Sequence, residues 1–272
     1  MTPEQNSAWD HSNHASFIHY YEDTHLSDAA VKRLTSVRDI VLARLGRTGQ
    51  TLDVLDIGCG PGAQSFLWAE LGHRVLGLDV SEQFIALAKN RARPSAYTID
   101  FQVASAANLP CPSESIDICV AIELLEHVVE WERCLDEFTR VLRPGGALFI
   151  TTTNTLCPKQ QEFDLPFYSW YPGFLKRRYE RLAKTTRPEL ASFATYPAVN
   201  WFTFYGLQRE LSRRGCRSED RFTIANIQNK PGLKRASLHL VRALPPLRLL
   251  AHIATPSTWI LAIKKGSPTS ST

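Results

Sequence analysis

The chain carries six cysteines, Cys59, Cys111, Cys119, Cys134, Cys157 and Cys216, yet no C-x-x-C pair. That absence removes the spacing on which zinc ribbons and thioredoxin-like motifs depend, and leaves reduced thiols in a cytosolic protein as the plain expectation. Long apolar runs are missing too. The stretches at 238–250 and 259–263 are interrupted by arginine or proline, or are short, against the roughly 18 residues a spanning helix needs. No transmembrane segment is expected. The N-terminal Met1-Thr2-Pro3-Glu4-Gln5-Asn6 lacks the charged-then-apolar layout of a signal peptide, so secretion by that route is not expected either.

Charge of one sign is scarce. The 31 Lys and Arg residues against 27 acidic ones leave a net +4, spread along the chain rather than gathered in a tract, which argues against nucleic acid as a partner. An anionic substrate or a membrane surface stays open. The sequence shows no internal repeat. Its 272 residues exceed a typical domain of about 100–200, but α/β sheets of this size commonly close one core. The expected organisation is a helical lid region over 1–50, a main domain over 51–265 with an insertion at 155–201, and a disordered tail at 266–272. The oligomeric state is not legible.

What is present begins with Leu52-Asp53-Val54-Leu55-Asp56-Ile57-Gly58-Cys59-Gly60-Pro61-Gly62, an apolar strand with an acidic residue near its end that breaks into three glycines. Glycines at alternate positions accept positive φ and let a ligand approach the main chain. A helix follows, with Ala63, Phe66, Leu67, Trp68 and Leu71 on its apolar side before Gly72. The next strand, Arg74 to Asp79, ends about 20 residues beyond the first glycine, where βαβ nucleotide sites place a ribose-binding carboxylate. Gly58, Gly60 and Ala63 also satisfy the looser dinucleotide fingerprint. Asp56, two residues before the first glycine, would repel a pyrophosphate but suits a ligand bearing an ammonium and a sulfonium.

Strands and helices alternate over the first two-thirds, the signature of a parallel sheet covered on both faces. Ser81 is a helix N-cap. Strands are expected at Ile99–Val103, Ile116–Ile122 and Ala147–Thr153, with a helix over Trp131–Leu142. Thr203 caps a helix that stops at Gly215, and Phe222–Ala225 and Trp259–Ile263 are the expected closing strands.

Four segments in this order and spacing resemble the class I S-adenosylmethionine-dependent methyltransferases. They are Val54 to Gly62, the strand ending in Asp79, Ile116 to Val128, and Val141-Leu142-Arg143-Pro144-Gly145-Gly146. Glu123-Leu124-Leu125-Glu126-His127-Val128 and Thr151-Thr152-Thr153-Asn154 are most similar to the O-methylases of ubiquinone biosynthesis. The resemblance implies a doubly wound, mostly parallel seven-stranded α/β sheet, with an N-terminal helical lid and an insertion after strand five. It implies S-adenosylmethionine as cofactor, held by Asp56, Gly58, Cys59, Gly60, Gly62, Asp79, Val80 and Ile122. Ser105 stands where the family commonly has an adenine-binding aspartate; its hydroxyl and the backbone of Ala106 are the expected adenine contacts.

A hydroxyl acceptor needs a base. His127, following the fourth strand, is the first candidate and Glu123 the second, while Asn154 could orient the acceptor. Each has a plainer alternative: His127 as a packed ring, Glu123 as a cofactor or structural contact, Asn154 as a strand end. His11, His14, His19 and His25 lie among aromatic residues without the carboxylate pattern of a metal site, so no metal is assigned. In the family such a segment covers the cofactor, which makes Tyr20 or Tyr21 the expected lid contact.

The insertion is rich in aromatics and proline, and loops on a rigid sheet commonly set selectivity. Within it Leu175, Tyr179 and Leu182 share one helical face, and Arg177, Arg181 and Lys184 another. A second stretch, Lys234 to His252, interleaves Arg235, Arg242 and Arg248 with leucines. Both would fit an anionic lipid surface or an amphiphilic acceptor, and both would also fit solvated faces. The sequence thus points to methyl transfer to oxygen of a hydroxylated small molecule or a lipid-linked acceptor: phenolic, quinone precursor or sugar. The alternatives are N- or C-methylation, an NAD-binding oxidoreductase that shares the glycine turn, and a noncatalytic protein that keeps the fold. A cytoplasmic enzyme with peripheral membrane contact is the corresponding location.

Overall fold

The computed structural model describes residues 27–266 apart from 48, 95, 161, 192–197 and 226–230. Tyr20, Tyr21, the four N-terminal histidines and the tail therefore lie outside the described residues. Helix α1, Asp28–Leu45, starts where the Ser27 hydroxyl accepts from Ala30 N, and stops at Gly46, whose φ of 65° closes the cap on Leu42 O. Its buried Ala30, Leu34, Val37 and Val41 recur at helical spacing.

The rest of the fold alternates as expected: β1 Asp53–Ile57, α2 Ala63–Ala69, β2 Arg74–Asp79, α3 Glu82–Ala92, β3 Ile99–Val103, β4 Ile116–Ile122, α4 Trp131–Val141 and β5 Leu142–Thr153. There follow α5 Gly173–Thr185, α6 Phe204–Arg213, β6 Cys216–Asp220, α7 Arg221–Ile224, α8 Gly232–Ala243, α9 Pro245–Ile253 and β7 Ser257–Lys264. The strands form one seven-stranded, mostly parallel sheet in the order β3-β2-β1-β4-β5-β7-β6. Order reverses between β1 and β4, the switch point beside which open α/β sheets bind ligands. Parallel pairing sets Ile57 opposite both Leu78 and Ala121, so the C-terminal ends of β1, β2 and β4 lie level. Val54, Leu55, Ile57 and all of Ile116 to Ala121 are buried, as a strand covered on both faces requires.

Two expectations change. Strand β5 begins at Leu142, not Ala147: it runs through Pro-Gly-Gly with Gly145 at φ 75°, and glycine is needed at 146, where a Cβ would stand 2.9 Å from the carbonyl oxygens of Asp117 and Arg143. The closing strand expected at Phe222–Ala225 is instead Cys216–Asp220, followed by a helical turn. Asp220 causes this, since its carboxylate accepts from Thr223 N and caps a helix start just where the apolar run begins.

The chain divides into two compact units. The first takes residues up to Ile122, Glu130–Phe149 and the residues from Ile263; the second takes Glu123–Val129 and Ile150–Ala262. At the N-terminal ends of its strands, the first unit is closed by ion pairs. Arg143 reaches Asp53 at 2.9 Å and Asp117 at 2.7 Å, and Arg47 reaches Asp117 at 2.7 Å. In the second unit the aromatics of the insertion pack on one another: Phe163 stacks on the fully buried Tyr168 at 4.0 Å, joined by Tyr171, Tyr179 and Trp201. Leu175, Tyr179 and Leu182 of α5 are half-buried and Arg177 and Arg181 exposed, the two faces expected of that helix.

Candidate active site

The glycine turn is wired to β2. Gly58 N and Cys59 N both donate to Leu78 O, Gly60 N donates to Asp79 Oδ2 at 2.9 Å, and Gly62 N donates to Cys59 O. Ser81 N takes the other Asp79 oxygen at 2.9 Å, so this carboxylate is fixed at the end of its strand. Burial raises its pKa while these backbone N–H groups hold it down. Four amides of the turn are thus committed within the chain. A pyrophosphate would need such donors free, so the turn does not offer the anion cradle of a dinucleotide site.

The glycines divide by role. A Cβ on Gly62 would meet the Phe101 ring at 2.9 Å, and one on Gly77 would meet it at 2.5 Å, so these two make room for a buried phenylalanine. Gly60, with φ 50°, has nothing within 4 Å of its absent Cβ. Space beside the backbone there, next to the fixed carboxylate of Asp79, is what a ribose and its substituents need. Val80 is 51% exposed beside it, an apolar surface fit for a flat ring. Arg91 donates to Pro61 O and lies over the Phe66 ring at 5.0 Å, bracing the turn from α3.

Asp56 is buried and accepts from the Ser65 hydroxyl at 2.6 Å. Desolvation pushes its pKa up to about 7, opposed by the Ser65 hydrogen bonds and reinforced by the nearby charge of Asp79. Two carboxylates at one turn form a site for a cationic ligand. Ile122 ends β4, and Cys59 is a buried thiol whose pKa burial raises, so it is inert rather than nucleophilic. The Ser105 hydroxyl accepts from Ala107 N at 3.2 Å in a local turn, with Ala106 buried beside it. Glu137 and Arg140 of α4 clamp this loop: Glu137 accepts from Leu109 N at 2.7 Å, and Arg140 donates to the carbonyls of Leu109 and Cys111.

In the second unit Glu123 adopts φ 49°, a left-handed conformation rare for a residue with a side chain. Its carboxylate accepts from the Thr151 hydroxyl at 2.7 Å. Glu126 is fully buried; Oε2 accepts from the Thr152 hydroxyl at 2.8 Å, and Oε1 has no partner among the described residues. Glu162, from the insertion, brings a third carboxylate: ligand atoms of Glu123, Glu126 and Glu162 all lie within 4.8 Å of one another. Burial and the neighbouring charge of Glu123 raise the Glu126 pKa well above the ordinary carboxylate range and that of Glu162 to about 7. Carboxylates this close favour binding a proton, and their oxygen donors are of the type a divalent cation takes. His127 follows in the same turn. Burial lowers its pKa to about 4, and Nδ1 is buried without a hydrogen-bond partner among the described residues. The imidazole is therefore neutral at physiological pH, the form that accepts a proton.

Asn154 is placed differently from expectation. Its amide donates to the carbonyls of His252 and Thr255 and accepts from Leu156 N, so the side chain ties β5 to the end of α9 and has no donor left for an acceptor. Sequence reasoning also passed over Glu162, Phe101, Ser65 and the Glu137–Arg140 clamp. Ser65 follows Asp56 by nine residues on the first turn of a helix aimed back at β1, a spacing that could have revealed it. Glu162 sits in irregular chain with no periodic signal.

Residues 55–150 match the family model described as Methyltransferase domain. This segment is similar to methyltransferase domains. A ubiquinone biosynthesis O-methyltransferase from Rhizobium leguminosarum bv. trifolii is 36% identical over 128 residues, 45% of this chain and 51% of that protein. One from Mesorhizobium japonicum is 34% identical over 163 residues, 58% of this chain and 65% of that protein. The chain thus spans about half the length of the first of these curated relatives. An S-adenosylmethionine-dependent methyltransferase from Mesorhizobium loti shares the fold, with a TM-score of 0.57 over 86% of this chain and all of that one, at 20% identity. The matched segment takes in the glycine turn, Asp79, the Ser105 loop and the Glu123–His127 turn, while Thr151, Thr152, Glu162 and Asn154 with its partners lie beyond it.

Proposed function

We propose that this protein transfers a methyl group from S-adenosylmethionine to an oxygen of a hydroxylated small molecule or lipid-linked acceptor: a phenol, a quinone precursor or a sugar. The observation that carries the reading is the neutral imidazole of His127 on the turn that follows β4, whose Nδ1 has no hydrogen-bond partner among the described residues. The similarity of part of the chain to ubiquinone biosynthesis O-methyltransferases supports it. The bound cofactor supplies an electrophilic methyl on a sulfonium. Asp79 binds the ribose hydroxyls, Gly60 gives the cofactor access to the main chain, and Asp56 faces its cationic amino acid end. Val80, Ser105 and Ala106 lie against the adenine, and Ile122 closes the site from β4. His127 takes the acceptor's hydroxyl proton as the new O–CH3 bond forms, and Glu123 stabilises the imidazolium that results. The enzyme works in the cytoplasm, where its acceptor can be met at a membrane surface.

The test is methyl transfer to matched phenol and aniline acceptors by the protein and by His127→Ala. The oxygen reading expects turnover of the phenol to fall by about 10²–10⁴-fold in the variant, the usual contribution of a positioned base. Turnover of the aniline in preference to the phenol, unchanged in the variant, would instead favour nitrogen methylation, which needs a weaker base. The pyridine-nucleotide alternative loses ground to the committed amides of the glycine turn and to the methyltransferase match.

A further inference from the structure

Helices α8 and α9, inserted between the short helix α7 and strand β7, bury almost nothing. Helix α8 has no buried residue, and of α9 only His252 is buried. Their contacts with the fold run through a single side. Arg242 donates to the carbonyls of Phe222, Thr223 and Ala225, each at 2.8 Å, and Arg248 forks onto Asp220 at 2.6 and 2.7 Å. Away from that side stand six exposed leucines: Leu233 at 85%, Leu240, Leu244, Leu247, Leu249 and Leu250. On α8 Leu233 and Leu240 share one side at helical spacing, and Leu244 follows at the extended residue that joins α8 to α9.

Charge along this part of the sequence has one sign. Eight of the 31 Lys and Arg residues lie after Asp220, and none of the 27 acidic residues does. Arg242 and Arg248 are spent on the fold, but the side chains of Lys234 and Arg235 are exposed and make no ion pair among the described residues. A two-fold dimer through this face would bring two sets of cations together with no carboxylate between them. An apolar stripe flanked by free cations suits a surface that is itself apolar beneath and anionic above.

We propose that α8 and α9 form a docking surface for an anionic lipid bilayer, with the leucines entering the acyl boundary and Lys234 and Arg235 at the headgroup phosphates. Helix α8 lies in the plane of the interface and Arg242 and Arg248 hold the pair to the enzyme. The inference does not rest on the methyl-transfer reading, since its readout needs neither cofactor nor turnover.

The experiment is cosedimentation of the full-length protein with vesicles of phosphatidylcholine alone and of phosphatidylcholine with phosphatidylglycerol. Binding to the mixed vesicles only is expected, with release at about 1 M salt, where the screening length is about 3 Å. The Leu233→Ser/Leu240→Ser and Lys234→Glu/Arg235→Glu variants change exposed side chains, so each is expected to keep the wild-type melting temperature. Each should weaken partition about tenfold or more. Absence of binding to the mixed vesicles overturns the proposal, as does binding equal in both variants and the parent. It is equally overturned if the parent is a dimer that the leucine variant disperses and neither sediments with lipid.

Discussion

At the scale of single residues, the site rests on carboxylates whose protonation burial controls. Asp56 has its pKa pushed up to about 7, so in the free protein it is largely protonated below that pH. A bound ammonium favours the carboxylate and lowers the pKa, so binding releases a proton. Affinity for S-adenosylmethionine is then expected to rise with pH up to about 7 and to level off above it. Calorimetry in buffers of different ionisation enthalpy reads this directly; a pH-independent affinity would show that Asp56 does not meet the cationic end. Asp79 is expected to matter more steeply. Asp79→Ala removes both the ribose acceptor and the partner of Gly60 N, and should abolish measurable cofactor binding while the protein still melts cooperatively. For His127, the low pKa of about 4 predicts that its protonation does not limit methyl transfer between pH 6 and 8. Asp56, Asp79 and His127 were legible because each sits at a fixed offset from a glycine turn or strand end. The partners that tune them were less so: Ser65 is one turn into a helix, and Glu162 comes from a loop whose path no period describes.

At the scale of elements, two close approaches decide the local backbone. Strand β2 passes Phe101 only because position 77 lacks a side chain, and Gly77→Ala would place a methyl 2.5 Å from the ring. Such overpacking is expected to cost about 1–3 kcal/mol in a core that cannot relax. Urea denaturation of Gly77→Ala measures that cost, and adding Phe101→Leu should recover part of it. In the other unit, Asp220 caps α7 and accepts from Arg248, His252 and Thr223 while fully buried. These donors hold its pKa well below the ordinary range despite burial. Its contribution to stability is complete above about pH 4 and is lost only as pH falls toward the folded value. Asp220→Asn leaves Arg248 without its charge partner and should cost about 3 kcal/mol, seen as a lowered melting temperature at neutral pH. This residue is also why the sequence misled at Phe222–Ala225. The apolar run there reads as a strand by composition, and only the capping aspartate one position earlier marks a helical turn. By contrast β2, β3 and β4 were legible to the residue, since buried parallel strands leave apolar runs bounded by glycine, serine or proline.

At the scale of the whole molecule, a doubly wound, mostly parallel seven-stranded sheet was readable from the family resemblance of four short motifs. What decorates that sheet was not. The aromatics of the insertion lie in a segment expected to set selectivity, yet among the described residues most of them pack together around Tyr168, and Phe167, Trp170 and Phe174 stay well exposed. Periodicity cannot separate aromatics that make a small core from aromatics that face a ligand. The central claim is that the glycine turn, with Asp56 and Asp79, takes a cationic adenosyl ligand and not a pyrophosphate. Calorimetric titration with S-adenosylmethionine, its demethylated product and NADH tests it most directly. Micromolar binding of the first two with none of the third is the predicted result; binding of NADH alone would contradict the account.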